Sequence, residues 1–557
     1  MLKTYLSLSA LFFTALFLLC YLWPPALWLM ILAVPLFLVG LYDALQKRHS
    51  LWRNFPLIGR GRWVMEALRP FFRQYFAESD TDGTPISRMF RSVVYQRAKG
   101  ASDAVPYGTR VDVNRAGYEW IGHSLSAITA NDVEQLRVTI GGPDCRQPYS
   151  ASILNISAMS FGSLSRNAIL ALNRGARMGN FYHNTGEGGI SPYHLEEGAD
   201  LVWQIGTGYF GCRTSEGNFD PDKFQDKARL ETVKMIEIKL SQGAKPGHGG
   251  ILPAHKNTGE IARIREVPAG VQVDSPPTHR AFNSPRGLME FIVQLRELSN
   301  GKPIGFKLAL GRESEFVAIC KAMVATGTTP DFITVDGGEG GTGAAPLEYT
   351  NSVGMPLREA LAFVENCLIG FGLRERIRLI ASGKIFTGFH LIKHLALGAD
   401  LCNSARGMML ALGCVQSLTC HSNHCPTGVA TQNPKLYKGL VVTDKAVRVA
   451  QFHEKTLAAT AELLGSTGLK HSRLLNRTHL HRRVSQFEIR RYDQIFPYIP
   501  AGSLLSLEGA PEHYRCYLEE VSAEAFQPNQ EVTQVESRES QAAGFNNENQ
   551  ALGASNS

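Results

Sequence analysis

Asp331 to Gly343 read DFITVDGGEGGTG: a short apolar run, an acid, then a cluster of glycines. The same form recurs from about residue 150 to 415, as ILNISAMSFG, NFYHNTGEGG, LVWQIGTGYFG, MIEIKLSQGAKPGHGG, PIGFKLAL, IRLIASGKI and DLCNSARG. Amphipathic stretches such as SRNAILALNRGARM, ESEFVAICKAMVATG and GFHLIKHLALG lie between them. Strands alternating with helices imply a parallel β/α architecture. About eight such runs over about 250 residues suit a (β/α)8 TIM barrel. An open doubly wound sheet is the alternative, but it gathers its polar clusters at one switch point. In this sequence they follow almost every run, which favours the barrel.

Outside this region the 557 residues change character. The first 42 are nearly all apolar and the last 30 or so nearly all polar. TYLSLSALFFTALFLLCYLW, Thr4 to Trp23, is followed by Pro24-Pro25 and ALWLMILAVPLFLVGLY, ending at Tyr42. About 20 apolar residues span a bilayer as a helix, and two prolines suit the turn between two such spans. The reading is a transmembrane helical hairpin. A single re-entrant segment and a cleaved signal are the rivals, the latter weakened by the second apolar stretch. Lys3 precedes the hairpin, and Lys47, Arg48, Arg53, Arg60 and Arg62 follow it. Positive flanks favour the cytoplasm. The expectation is a multi-pass protein of the cell (inner) membrane with its catalytic domain cytoplasmic.

The net charge of +7 follows from this juxtamembrane cluster. No run of Lys and Arg interleaved with aromatics points to nucleic acid. WVMEALRPFFRQYF, Trp63 to Phe76, suits either a helix on the bilayer surface or one packed on the main domain. The regex GxGxxG occurs at Gly206 to Gly211, but RTSEGNFDPDKFQD after it does not begin as a helix, so nicotinamide binding is not expected. Expected domains are 1–45 (transmembrane hairpin), 46–149 (membrane-proximal), 150–525 (barrel with a cysteine loop) and 526–557 (a disordered tail too polar to order itself). After Gln432 the sequence reads as helix-rich, with many basic residues from Lys470 to Arg491.

Three of the ten cysteines stand in GCVQSLTCHSNHCPTGVATQ, Gly413 to Gln432, at Cys414, Cys420 and Cys425. Three thiols on one loop suit an iron–sulfur cluster. His421 or His424 as a fourth ligand would suit zinc, and structural or redox thiols remain a third reading. The other cysteines are scattered and lack a disulfide framework's spacing.

This loop resembles the cluster loop of the glutamate synthase large-subunit family, where the same spacing followed by CPxGVATQ binds a [3Fe–4S] cluster. SAMSFGSLS, NTGEGG, IKLSQGAKPGHGG and DGGEGGTGAAP match that family's FMN-binding synthase domain in order, over roughly residues 150–435. The resemblance implies an oxidoreductase acting on CH–NH2 donors, with FMN and [3Fe–4S] as cofactors. It implies Cys414, Cys420 and Cys425 as metal ligands. It implies flavin contacts at Met159, Ser160, Gln204 and Lys307, and a phosphate site at Gly341, Gly343, Ser382, Gly383 and Ser404, Ala405 and Arg406. Glu187, Lys239 and Arg265 match residues that hold 2-oxoglutarate or its imine. Two cations suit a dicarboxylate, and Glu187 suits a proton relay. The partners implied are a 2-oxoglutarate-like substrate and an electron donor, either ferredoxin or a separate NAD(P)H-oxidising subunit. The bilayer is added by the hairpin.

Three departures qualify the match. That family's glutaminase domain begins with a nucleophilic cysteine, whereas Met1-Leu2 leads into the hairpin, so ammonia from glutamine is not expected of this chain. GEGGQLP reads GHGGILP, placing His248 for an acid and Ile251 for a glutamine that binds the oxo acid. No counterpart of the family's carboxy-terminal β-helix is expected. The favoured function is reduction of an imine of 2-oxoglutarate to glutamate or an N-alkyl glutamate. The alternative is a membrane-bound electron-transfer or redox-sensing protein without amination.

Overall fold

The computed structural model describes residues 2–528, so nearly all of the expected disordered tail lies outside the described residues. The chain divides into two compact units between Arg88 and Met89.

The first unit opens with α1 (Leu2–Leu22), a 3-10 turn over Pro24–Leu29 and α2 (Met30–Leu45). The prolines end one helix and start the return, as their missing N–H groups dictate. Tyr5, near the start of α1, donates to the Phe37 carbonyl at 2.9 Å, and Phe13 meets Phe37 edge-on at 5.5 Å. A Cβ on Gly40 would stand 2.1 Å from the Tyr5 hydroxyl, so a larger residue there would have to displace the Tyr5 ring. Segments Lys3–Leu22 and Pro24–Leu45 are long and apolar enough to cross a membrane. A further helix, α3 (Ile58–Phe72), runs on into a wider turn over Arg73–Ala77.

In the second unit the eight apolar runs become eight parallel strands of one closed barrel. They are β1 (Leu154–Ile156), β2 (His183–Asn184), β3 (Leu201–Ile205), β4 (Val233–Lys239), β5 (Ile304–Leu308), β6 (Phe332–Asp336), β7 (Arg378–Ser382) and β8 (Leu401–Ser404). β8 returns to β1 through the register Cys402↔Leu154. β3, β5 and β6 are buried along their whole length, as strands covered on both faces must be. A Cβ on Gly175, in helix Arg166–Met178, would meet Val449 at 2.7 Å. That glycine lets helix Val442–Ser466 pack closely outside the barrel.

Two features depart from the sequence reading. Residues 89–149 belong to the barrel's unit, and Glu119–Ile121 pairs with Leu480–Arg483, which pairs with Ile489–Arg491. The section after Gln432 is helical over Val442–Ser466, as read, but its basic stretch forms short 3-10 turns and two strands. Its cations explain why: Arg482 reaches Glu119 across the register pair, and Arg477 donates to Glu365 at 2.7 Å.

Candidate active site

The carboxyl ends of the strands open into one cleft, the end of a (β/α)8 barrel where loops build active sites. Lys239 ends β4 and Lys307 lies beside it on β5 in register, so both enter the cleft side by side. Below them Glu237 is buried and accepts hydrogen bonds from Asn184 (2.8 Å), Gln204 (2.6 Å) and Thr334 (2.7 Å). The bond from Gln204 Nε2 fixes that amide, and Gln204 lines the cleft. Lys307 pairs with Asp336 at 3.0 Å, and Asp336 also accepts from the Gly243 amide at 2.9 Å. Burial alone would lower Lys307; Asp336 and Glu237 reverse this and raise it.

Glu187 forms the other pole. Lys239 Nζ lies 2.8 Å from its Oε1. Cβ atoms on Gly250 and Gly206 would stand 2.1 and 2.7 Å from the Glu187 side chain. These two glycines therefore make the room that Glu187 occupies. Burial pushes its carboxyl up, but Lys239, then Arg265 and Lys245, more than reverse it, so Glu187 is held ionised. Arg265 closes helix Gly259–Arg265 and is buried, with Nη2 3.4 Å from Ser160 Oγ and from the Phe161 carbonyl. Its Nε has no partner among the described residues, and burial pulls its pKa down to about 10.

Lys245 was not foreseen from the sequence. It lines the cleft, is 3% exposed, and its ammonium pairs with nothing among the described residues. Burial, with Lys239 adding to it, takes its pKa down to about 8. Three cations thus surround one carboxylate. The signal was present in IKLSQGAKPGHGG, but a lone lysine among glycines reads as a solvated loop.

The glycine-rich end of the cleft gathers Met159, Ser160, Gly341, Gly343, Ser382, Gly383, Ala405 and Arg406. A Cβ on Gly341 would meet Arg406 Nε at 2.5 Å, and Arg406 Nη2 donates to the Thr342 carbonyl at 2.6 Å. Ser404 does not line the cleft: it is buried and its hydroxyl donates to the Ile385 carbonyl at 2.6 Å. Open glycine backbone beside Arg406 fits a phosphate, and the Gln204 amide and Lys307 ammonium fit the polar edge of a flavin. Ile251 and the apolar Leu252 line the same cleft, whereas His248 bonds to the Gly249 carbonyl and faces Tyr349.

Of the three loop cysteines, Cys420 lines the cleft, 4.0 Å from Arg406 Nη1. Cys414 and Cys425 lie outside the lining, yet both Cys420 and Cys425 raise the pKa of Cys414 after burial does, which places the three thiols within charge range. Burial raises Cys425 too, but the amides of Ala430, Thr427 and Val429 and the Thr427 hydroxyl bring it below the ordinary thiol value. The buried Lys256 ammonium donates to the Cys420 carbonyl at 2.9 Å. Among the described residues no three His, Cys, Asp or Glu side chains form a ready metal cage. The donor types fit an iron–sulfur cluster; closing on one requires the loop to tighten.

A closed parallel barrel whose carboxyl mouth rings one ionised carboxylate with cations has the architecture of an enzyme. Comparison defines which kind. The conserved region in glutamate synthase matches residues 123–470. The chain is 35% identical over 511 residues to the glutamate synthase large subunit-like protein YerD of Bacillus subtilis, covering 84% of this chain and 96% of that one. It is 36% identical over 315 residues to the archaeal-type glutamate synthase [NADPH] of Thermotoga neapolitana, covering 56% of this chain and 59% of that one. The chain belongs to the glutamate synthase family, a family of oxidoreductases. A solved lactate oxidase of Pediococcus acidilactici is similar at TM-score 0.42 and 12% identity, over 75% of this chain and 93% of that one. A likeness that distant carries no functional argument.

Proposed function

We propose that the protein is an FMN- and [3Fe–4S]-dependent oxidoreductase that reduces an imine of a 2-oxoglutarate-like dicarboxylate, with the amine supplied from elsewhere. The observation that carries this reading is the excess of buried cation around Glu187. Lys239, Lys245 and Arg265 surround one buried carboxylate, with the exposed Asp274 also within charge range of Lys245, and an unbalanced buried charge is costly unless a ligand balances it. A dianionic substrate supplies that balance.

Gln204, Lys307, Arg406 and the glycines from Gly341 to Gly383 would hold FMN, which when bound supplies the hydride. Arg265 and Lys245 bind the two carboxylates and orient the imine. Ionised Glu187, held in place by Lys239, accepts a hydrogen bond from the protonated imine nitrogen and so favours the more electrophilic form. Cys414, Cys420 and Cys425 would hold the cluster, with Arg406 between that loop and the phosphate end. An electron donor, either a ferredoxin or a separate NAD(P)H-oxidising subunit, completes the scheme. The hairpin of α1 and α2 spans the cell membrane with the barrel on the cytoplasmic side.

The test is anaerobic purification with assays for FMN, iron and sulfide, followed by incubation with reductant, 2-oxoglutarate and isotopically labelled ammonia or methylamine. Labelled glutamate or N-methylglutamate is the expected product. Stoichiometric zinc without iron would remove the cluster.

One observation favours a second reading. Ile251 lines the cleft where a hydrogen-bonding side chain would serve an oxo acid, and a lost partner costs about 1–3 kcal/mol. Intact cofactors with no product from either amine would favour membrane-bound electron transfer.

A further inference from the structure

Helix α3 leaves an apolar face uncovered. Val64, Met65, Leu68, Phe71, Phe72 and Tyr75 are each at least 39% exposed. At 3.6 residues per turn they fall within an arc of about 120°. Arg62, Arg69 and Arg73 line one edge of that arc. From Asp43 to Glu78 the sequence holds seven cations (Lys47, Arg48, Arg53, Arg60, Arg62, Arg69, Arg73) and three carboxylates, Asp43, Glu66 and Glu78.

The start of α3 is fixed to the end of the apolar hairpin. Asp43, in the last turn of α2, is wholly buried. It accepts from the Leu57 amide at 3.2 Å and from Arg60 Nη2 at 2.7 Å. The Arg60 guanidinium also lies 4.5 Å over the Trp52 ring. Helix α3 therefore begins where the second apolar span ends.

We propose that α3 lies in the headgroup layer of an anionic bilayer, its apolar face in the acyl chains and its arginine edge on lipid phosphates. Continuity with the two apolar spans selects a bilayer as the occupant, and the excess of cations, with Arg62, Arg69 and Arg73 on the helix edge, selects anionic lipid. The proposal rests on the hairpin reading and adds a second anchor to it.

The full-length protein is reconstituted in phosphatidylcholine vesicles with or without phosphatidylglycerol. A benzophenone-bearing residue is placed at position 11, 65, 66 or 72, and adducts are identified by mass. Lipid adducts at 65 and 72 but not at 66, severalfold more abundant with phosphatidylglycerol, are the expected result. The combined Arg62→Gln, Arg69→Gln and Arg73→Gln variant should lose that gain while adducts at position 11 persist, which controls for insertion. Protein adducts at 65 and 72, or none, beside lipid adducts at position 11 would overturn the interfacial helix and leave the hairpin standing. Lipid adducts at 65 and 72 with none at position 11 would keep the helix and remove the hairpin. Equal labelling in both vesicle types would overturn the role of anionic lipid.

Discussion

Two carboxylates of the barrel unit are ringed by cations, and they end differently. Glu119 accepts from Arg358 and Lys393 at 3.1 Å, from Arg482, and from the Tyr492 hydroxyl at 2.5 Å. Arg358 also holds Glu359, and the network ties a strand near residue 120 to one near 481. Glu187 faces Lys239, Arg265 and Lys245, yet only Lys239 is paired with it. Burial pushes both carboxyls up and their cations bring both below the usual range. The difference lies in what is left over. Around Glu119 the cations are used up in protein contacts, so the network is a clamp. Around Glu187, Lys245 and one edge of Arg265 have no hydrogen-bond partner among the described residues, so the network is set for an anion from outside.

The comparison breaks first at the clamp. Glu119→Ala should strand Lys393 and Arg482, leave Arg358 on Glu359, and cost about 3–5 kcal/mol, the range for breaking a buried pair. Chemical denaturation should show that loss, with turnover per folded molecule unchanged. Arg265→Ala and Lys245→Ala should do the reverse. A charge-assisted hydrogen bond contributes about 1.5–3 kcal/mol, or about 10- to 150-fold in kcat/KM, while bound cofactors hold and denaturation midpoints do not fall. Lys239→Ala should reduce turnover by as much and also free Glu187, which the pH profile reveals.

The pH dependence sharpens the contrast. The folded pKa of Glu187 is depressed, so its contribution is complete above its unfolded value of about 4.3 and is lost as pH falls through the lower folded value. The acid limb of kcat/KM should therefore lie below about pH 4.3, and Lys239→Ala should move it upward. Lys245 is the opposite case, with a folded pKa of about 8. Its ammonium is lost as pH rises through 8, so anion binding should weaken on the alkaline side. Burying that charge costs stability below pH 8, a cost relieved between 8 and its unfolded value of about 10.4. Lys245→Arg should shift the alkaline limb up. The smallest effect expected is from Ile251→Gln, which should improve use of 2-oxoglutarate by about tenfold or less.

The barrel was legible because each strand ends in its own glycine or polar cluster, a local signal. Most of the residues that line the cleft were legible for the same reason, since those clusters are the strand-to-helix loops. The clamp was not. Glu119 and Arg482 lie far apart in sequence, and nothing near either announces the pairing. Ser404 was read from its place at a strand end ahead of Arg406, and the sequence does not show that its hydroxyl is used by the Ile385 carbonyl. Lys245 was missed because burial, which gives it meaning, depends on the long excursion between β4 and β5 folding back over the cleft.

The central claim is that the open ring around Glu187 binds a dicarboxylate imine. Its most direct measurement is anaerobic stopped-flow reoxidation of the reduced flavin by 2-oxoglutarate plus ammonia or methylamine. The account predicts reoxidation that needs both the oxo acid and the amine, and that slows about 10- to 150-fold in Arg265→Ala. A wild-type flavin that stays reduced with both mixtures, its cofactors intact, would contradict it.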